Sequence, residues 1–527
     1  MKTVSFSTFL SLIAISVSGA EAFAPNGRAF VAHSTQQLLN NDPFLVRGGA
    51  QQQLLRKEQP KKNFRYKSVS ASVGASDGSS SSTNLLQGLA SAPLTKAVLS
   101  STLFVFTDLV IKNLFKTKGI SFPSSLAGCC FLAASLLASP FHEKLYRILN
   151  PGAKLMQKFM MIFLVPNLIV LPLCGGNYSA LEMAKITTII LGGFLFSLLS
   201  TCYSVTAVSK LFGTNTGDAS TSATSTETAA VSSHAKTAKP KAFSDELTYG
   251  SRALMVLSGA AAAISSNVGS TLTTPLMALS MLAATVHNFA FGARQSKKFI
   301  KVFHPLVSCT VLSWVWATIL GWTTGGTLTS MLQGYRAGGP ISLAASGAGD
   351  YLTFVLGPAV VSLGVSIYER RVLIKQNIKE VLTATFVSCV GGLFGTAAVV
   401  RIMGLASAEL RLSMLPRNIT SALAVAIADI VGANKSLAVA IAIVTGLIGA
   451  NFGASLLDLF GIKDPITRGL GIGSAAHGLG TAAFVDEKDA FPFAAISMAL
   501  TAICGTLLVS VPSVKALAIR IALGGLA

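Results

Sequence analysis

Two polar stretches interrupt the apolar C-terminal half of the chain and carry side chains capable of chemistry. In the first, Pro416 is followed by Arg417, Asn418, Thr420 and Ser421. Because proline interrupts a helix, these residues are predicted to lie at the start of a new one. Free backbone N–H groups and the helix dipole make such a terminus attractive to a carboxylate. The alternative is an ordinary helix cap at the membrane surface, with the arginine meeting lipid headgroups.

The second stretch, 463–485, places His477 between Ser474 and Thr481 in a glycine-rich sequence. Each glycine costs a helix about 1 kcal/mol relative to alanine, so the segment is predicted to be irregular. Irregular backbone at membrane depth survives only where protein or a water-filled cavity satisfies its polar groups. His477 is therefore a candidate for substrate contact or proton carriage; the alternative is a solvated histidine in a surface loop. The residues predicted to break or shape the two segments are Pro416, Gly473, Gly478 and Gly480.

The elements that position these residues are predicted to be transmembrane helices. The chain is 51% hydrophobic and only 12% charged, with a mean hydropathy of +0.62. From about Ala97 onward its apolar blocks are long enough to cross about 30 Å of hydrocarbon, and they lack the alternation of strands. The fold class is an all-α polytopic bundle of about 12 spans with two broken or re-entrant segments in its C-terminal block. The predicted spans are 97–115, 122–140, 158–174, 184–211, 247–266, 271–292, 302–321, 351–368, 378–404, 436–460 and 490–512, and the broken segments are 414–431 and 468–485.

A polar Ser/Thr/Ala/Lys stretch divides the bundle. It separates a four-helix block, 97–212, from a larger block, 247–527, and the intervening 213–246 is predicted to be a flexible linker. Basic residues are concentrated in alternate loops, which predicts that the linker lies on the positive, cytoplasm-equivalent side. The number and topology of spans after residue 404 stay open. On the first helix, Asp108 and Lys112 are spaced to neutralise each other.

The N-terminus resembles a two-part import leader. Residues 1–22 have the charge, apolar core and small-residue end of a signal peptide, and 23–90 are basic, Ser-rich and poor in acids, as in a plastid transit peptide. Such a leader predicts the inner envelope of a plastid surrounded by extra membranes; the alternative is a secretory-pathway membrane protein with a disordered luminal tail. The net charge of +20 lies in this leader and in short loops, so a nucleic-acid partner is not expected.

Other chemistry is not indicated. The cysteines lie in or beside apolar blocks and none forms a C-x-x-C pair, so no metal site is predicted. No nucleophile elbow, zinc-protease motif or paired aspartate appears, and the dinucleotide-like glycines of 471–483 lack a βαβ context. We therefore predict neither an enzyme nor a cofactor.

The same polar residues carry a family resemblance. Residues 462–482 are similar to the signature of LrgB-type membrane proteins, approximately I-x-D-P-x-A-R-G-L-A-x-G-T-S-S-H-A-I-G-T-A. Residues 356–361, 415–420 and 444–450 also match that family, with Ala475 and Ala476 standing where it has serines. More weakly, 122–128 and 163–166 resemble the LrgA-type partner. An LrgA-like block fused to an LrgB-like block behind a plastid leader resembles the family of plastidal glycolate/glycerate translocators.

That resemblance implies transport of glycolate and glycerate across the inner plastid envelope, serving photorespiration. The carboxylate is expected at Arg417 and Asn418, and the hydroxyl is expected to be read by Ser421, Ser474 or Thr481. Thr420 and the motif residues Gly357 and Pro358 are also expected to contribute to substrate binding. Proton coupling through His477 is a further expectation. Three alternatives stay open: a holin-like pore, a regulator of volume or cell death, and a carrier of another monocarboxylate such as pyruvate. The sequence leaves oligomeric state open, a homo-oligomer included, and the expected partners are small organic anions and membrane lipid.

Overall fold

The computed structural model describes residues 93–120, 122–174, 178–212, 243–296, 299–300, 303–338, 341–342 and 345–524. The predicted signal peptide, transit-like leader and almost all of the predicted linker lie outside these ranges. Within them the chain is helical, without strands. The all-α prediction is therefore confirmed.

Eighteen α-helices, numbered here in chain order, make up the described part of the fold. They are α1 (Pro93–Lys118), α2 (Ser124–Ala138), α3 (His142–Ile169), α4 (Ala180–Leu211), α5 (Asp245–Asn267), α6 (Thr273–Ala293), α7 (Pro305–Thr324), α8 (Leu328–Tyr335), α9 (Ala348–Glu369), α10 (Arg371–Gln376), α11 (Ile378–Val390), α12 (Thr396–Ile402), α13 (Ala408–Ser413), α14 (Ser421–Val431), α15 (Lys435–Leu459), α16 (Pro465–Ala483), α17 (Phe491–Ser510) and α18 (Pro512–Leu523). A π-helical turn, Gly391–Gly395, joins α11 to α12 without a break.

Nine helical segments among the described residues are long and apolar enough to cross a membrane. Each coincides with one of the predicted spans. They are Thr95–Lys118, Ala180–Leu211, Asp245–Asn267, Thr273–Ala293, Pro305–Thr324, Ala348–Glu369, Ile378–Ile402, Lys435–Leu459 and Phe491–Ser510. Large apolar side chains remain exposed on their outer faces, among them Ile264, Trp322 and Ile402. Such surfaces suit hydrocarbon as the surrounding solvent.

Two predicted boundaries are wrong. The third span was expected at 158–174, after a charged loop, yet α3 begins at His142 because that charged stretch is amphipathic and buries Leu149 and Ala153. The linker was expected to extend to residue 246, yet Phe243 is buried between Phe159 and Phe289. The chain therefore rejoins the bundle before α5 begins.

The packing of the helices does not follow the order of the sequence. Helix α9 packs against α1, α2 and α3, and α5, α6 and α7 pack together beside α3. Helix α4 precedes the linker, but it packs mainly against α11 and α16, with further contacts to α15. The two polar segments of the C-terminal half are thus enclosed partly by a helix from the N-terminal half.

Helix α16 is fixed firmly at its N-terminal end. The Asp464 carboxylate caps the helix by accepting from the Thr467 backbone N–H (2.8 Å) and hydroxyl (2.6 Å). Arg468, one residue later, forms ion pairs with Asp458 at 2.7 Å and with Glu487 at 2.9 Å. These carboxylates come from the segments before and after α16, so the ion pairs tie the three segments together.

Candidate functional site

The Arg417 guanidinium lies inside the bundle, where it is 1% exposed. Arg417 belongs to a buried run of turns, 414–420, between α13 and α14. The Nε–H donates to the Thr396 hydroxyl at 2.9 Å, and Nη2 donates to the Ser197 hydroxyl at 3.0 Å. Gly193 of α4 lies flat against the guanidinium, since a Cβ there would fall 2.5 Å from Arg417 Cζ. The arginine is therefore held by helices from both sides of the linker.

Among the residues that the structure describes, no acidic side chain balances the charge of Arg417. None of the ion pairs among the described residues includes it, and its Nη1 has no hydrogen-bond partner there. Taking a charge out of water is costly unless it is paired, and buried donors are nearly always satisfied. A small anion seated against Nη1 would supply both the missing charge and the missing acceptor.

Asn418 joins the same buried segment to α11 and α16. Its amide Nδ2 lies within hydrogen-bond distance of the Ser388 hydroxyl (3.2 Å) and carbonyl (3.3 Å), and of the Ser474 carbonyl (3.5 Å). The Ser388 hydroxyl also donates to the Ser474 carbonyl at 3.1 Å. Because helix α16 is interrupted three residues after Ser474, a carbonyl in this turn needs partners outside the helix. Asn418 and Ser388 provide them.

The helix start predicted after Pro416 is present at Ser421, the first residue of α14. Thr420 occupies the N-cap position, but its side chain makes no capping hydrogen bond. No hydrogen bond among the described residues is donated by the amides of Ser421 or Ala422. Thr420 and Ser421 are both buried, so this helix terminus offers unpaired donors within the protein rather than to water.

His477 interrupts α16 with a backbone conformation of φ 42° and ψ −139°. Among the described residues it is the one non-glycine residue with a positive φ. Its Nε2 lies 2.7 Å from the Ala442 carbonyl of α15, which places the proton on that nitrogen. The ring packs against Gly446, where a Cβ would fall 2.5 Å from Cε1. His477 is 2% exposed, so the expectation of a solvated surface histidine does not apply. Strained backbone of this kind persists only where the surroundings fix it, commonly at functional sites.

The glycines of 463–485 leave more regular helix than their propensities predict, and the predicted break is confined to one residue. The segment is helical apart from the break at His477. A Cβ at Gly469 or Gly473 would collide with the backbone of α17, and one at Gly471 would collide with Cys202 of α4. These glycines serve close helix packing, as in other transmembrane interfaces, and that packing outweighs their low helix propensity.

The remaining predicted residues are placed as follows. Gly480 and Gly478 follow the break; a Cβ at Gly480 would collide with Ala476, and a Cβ at Gly478 would lie 3.5 Å from the Met498 sulfur. The Ser474 hydroxyl donates to the Gly471 carbonyl at 3.0 Å, and the Thr481 hydroxyl donates to the Ala494 carbonyl at 3.3 Å. Both hydroxyls are therefore engaged with backbone.

Gly357 and Pro358 lie elsewhere in the bundle, within α9. The contacts described for Gly357 are with the Asp108 carboxyl of α1. No contact described for the pair joins it to Arg417 or His477. The structure thus brings together the polar residues of segments 414–421 and 474–477, and it leaves these two residues outside that cluster.

Four site residues have no counterpart among the sequence predictions: Gly193, Ser197, Ser388 and Thr396. The two serines and the threonine are isolated hydroxyl residues in apolar spans, which carry no motif. The π-helical turn before Thr396 also escaped prediction, although its glycines 391, 392 and 395 are a local signal. A Cβ at Gly392 would fall 2.5 Å from Asn418 Nδ2, so this turn, too, packs on the site.

The fold and this cluster define a polytopic helical membrane protein with discontinuous helices in its interior. The plastidal glycolate/glycerate translocator 1 of Arabidopsis thaliana is 35% identical over 466 residues, covering 86% of this chain and 85% of that protein. The LrgB-like family model matches residues 285–514. The chain therefore belongs to the plastidal glycolate/glycerate translocator family, whose C-terminal part is LrgB-like. It is a multi-pass protein of a plastid membrane.

Bacterial relatives match a shorter part of the chain. The holin-like protein CidB of Staphylococcus epidermidis is 33% identical over 168 residues, which is 31% of this chain and 71% of that protein. The uncharacterized protein YxaC of Bacillus subtilis is 29% identical over 159 residues, 30% of this chain and 69% of that protein. No solved structure matches the chain.

Proposed function

We propose that the protein is a secondary transporter of glycolate and glycerate across the inner plastid envelope, serving photorespiration. The observation that carries the proposal is the buried Arg417 guanidinium, which has an unpartnered Nη1 and no acidic counterpart among the described residues. A small monocarboxylate supplies one negative charge and an acceptor oxygen, which are the two things this group lacks. The family relationship to the Arabidopsis translocator supports these two anions as the substrates.

In this proposal the carboxylate lies between Arg417 and the N-terminus of α14. A guanidinium and free helix amides both stabilise an anion, and discontinuous helices build such sites in secondary transporters. For the substrate hydroxyl, Ser421 is the candidate among the residues predicted from the sequence, because Ser474 and Thr481 already donate to carbonyls. Thr201, one turn beyond Ser197 on α4, has a buried hydroxyl with no partner and is a second candidate.

His477 enters the proposal as the residue that fixes the break in α16. Its Nε2 is bound to the Ala442 carbonyl, so only Nδ1 remains to meet a substrate or a proton. Proton coupling of transport is part of the proposal. The leader, which lies outside the described residues, is proposed to direct the protein to the inner envelope.

The test is counterflow in proteoliposomes. Liposomes are loaded with unlabelled glycolate, and entry of labelled glycolate is followed against competing glycerate, pyruvate and lactate. We expect saturable entry, inhibited unequally by D-glycerate and L-glycerate, because a hydroxyl-reading site distinguishes enantiomers. Preference for pyruvate would reassign the substrate. Unselective, non-saturable permeation would instead support a pore, the activity suggested by the name of the holin-like relatives.

A further inference from the structure

A second buried polar group lies far along the sequence from Arg417, on α1. Asp108 is 6% exposed within a candidate membrane span, and its Oδ1 has no hydrogen-bond partner among the described residues. The Ser124 side chain at the start of α2 lies near the carboxyl. At least one oxygen of this carboxyl is therefore enclosed in the described part of the protein without a hydrogen-bond donor.

The expected partner of Asp108 does not neutralise it. Lys112 lies one turn further along α1, but its side chain is exposed and no ion pair joins the two residues in the described part of the chain. Lys112 acts on the carboxyl only across a longer distance. The helices packed against this position contribute the Ser124 hydroxyl and the backbone of Gly357, and no other charged side chain of the described residues acts on it.

Helix α9 closes over this carboxyl. A Cβ at Gly357 would fall 2.6 Å from Asp108 Oδ2, so the glycine allows the α9 backbone to lie directly on the carboxyl. Gly357 belongs to the Leu-Gly-Pro-Ala segment that resembles the LrgB motif, yet it lies outside the arginine cluster. Covering the Asp108 carboxyl is therefore a role for this segment, which does not contact the arginine cluster.

We propose that Asp108 is the proton-binding site that couples anion transport to a proton. A carboxyl enclosed this way holds a proton while α9 covers it, because burying an unpaired charge is costly. When α1 and α9 separate, the carboxyl loses the proton to water and the carboxylate is stabilised by solvent and by Lys112. Helix α9 also contacts α14, the helix that begins beside Arg417, so movement of α9 reaches both sites. The assignment rests on the proposed anion transport.

The experiment compares two driving forces in proteoliposomes of the Asp108→Asn variant. Counterflow at equal pH exchanges anion for anion, whereas accumulation driven by a pH gradient requires the proton. One pH unit corresponds to about tenfold accumulation for one proton per anion. We expect the variant to retain counterflow and to lose gradient-driven accumulation. Lys118→Gln, which removes an exposed charge from the last turn of the same helix, is the matched control and should keep both activities.

Gradient-driven accumulation at the wild-type level in Asp108→Asn would overturn the assignment. A labelling experiment on the wild-type chain covers the case in which this variant does not fold. Dicyclohexylcarbodiimide reacts with protonated carboxyls in apolar surroundings, and peptide mapping should find it on Asp108 at low pH and less at high pH. Absence of label on Asp108 at every pH would also overturn the proposal. Failure of the wild-type protein to exchange glycolate would instead contradict the proposed function and leave the labelling result valid.

Discussion

The Arg417 guanidinium is surrounded by two hydroxyl side chains and a glycine rather than by charged side chains. The Ser197 and Thr396 hydroxyls accept from the guanidinium, and each is left with its own proton to donate elsewhere. Gly193 leaves room for the guanidinium plane. A carboxylate in place of any of these neighbours would neutralise the arginine and compete with a bound anion. Hydroxyl neighbours instead orient the arginine and preserve its charge for the substrate.

Replacing Arg417 with Gln should therefore impair binding of the anion. A hydrogen bond to a charged group contributes about 1.5–3 kcal/mol, which corresponds to a rise of roughly 10- to 100-fold in the half-saturation concentration for glycolate. The half-saturation concentration is measured from initial rates of labelled glycolate uptake over a concentration series. Arg401→Gln, an exposed arginine in α12, is the control and should match wild type. Wild-type affinity in Arg417→Gln would rule out Arg417 as the anion-binding residue.

His477 can be tested by separating its hydrogen bond from its ability to carry a proton. Glutamine offers an N–H donor at a similar reach toward the Ala442 carbonyl but does not titrate, whereas alanine offers neither. If His477 positions the helix break, the Gln variant should keep most glycolate uptake and the Ala variant should lose more. The loss of this bond corresponds to about 0.5–1.5 kcal/mol of stability, read as a lower unfolding temperature. Equal loss of pH dependence in both variants would favour proton carriage by the histidine.

Much of the residue-level site was readable because proline and histidine are conspicuous in apolar sequence. Pro416 indicated a helix start beside Arg417 and Asn418, and the structure has that start at Ser421. Ser197 and Thr396 could not be found in this way. Each resembles any hydroxyl residue in a transmembrane helix, and its importance comes only from the side chain that packs against it.

Among the elements, α4 has the most unexpected position. It lies before the linker in the sequence but forms a wall of the arginine site, through the Gly193–Ser197 turn. Its two adjacent glycines differ sharply in surroundings. A Cβ at Gly193 meets the guanidinium, whereas a Cβ at Gly192 has nothing within 4 Å.

This pair gives a prediction about helix packing at the site. Gly193→Ala should displace the guanidinium and reduce glycolate uptake strongly, because the neighbouring atoms are buried and closely packed. Gly192→Ala should leave uptake unchanged, since the methyl group enters open space on the same helix. Uptake kinetics of the two variants, prepared side by side, provide the measurement. Similar activity in both would show that α4 does not form the site wall.

The spans were predictable as elements because their length and apolarity are set by the bilayer. The course of α16 was not, because helix propensities measured in water do not include the close approach of α17 to Gly469 and Gly473. For the same reason, the position of the break at His477 rather than at a glycine depended on tertiary contacts.

For the whole molecule, the packing of α4 implies that the part after the linker is incomplete by itself. Residues 243–527 lack Ser197 and Gly193, so they should not bind glycolate when expressed alone. A chain cut within 213–242 and expressed as two pieces should re-form the complex and regain uptake, because the contacts of α4 lie outside the cut. Co-purification tests whether the two pieces re-form the complex, and counterflow tests whether glycolate transport returns. Wild-type counterflow by 243–527 alone would contradict them.

The position of α4 also bears on how the protein is supplied to its membrane. Because the helix before residues 213–242 completes the arginine site formed after them, a single polypeptide delivers both parts of the site in equal number. Covalent connection turns their encounter in the bilayer into an intramolecular step. Assembly of the site is then independent of the expression level of the protein. The cell also need not produce and import two separate partners in equal amounts.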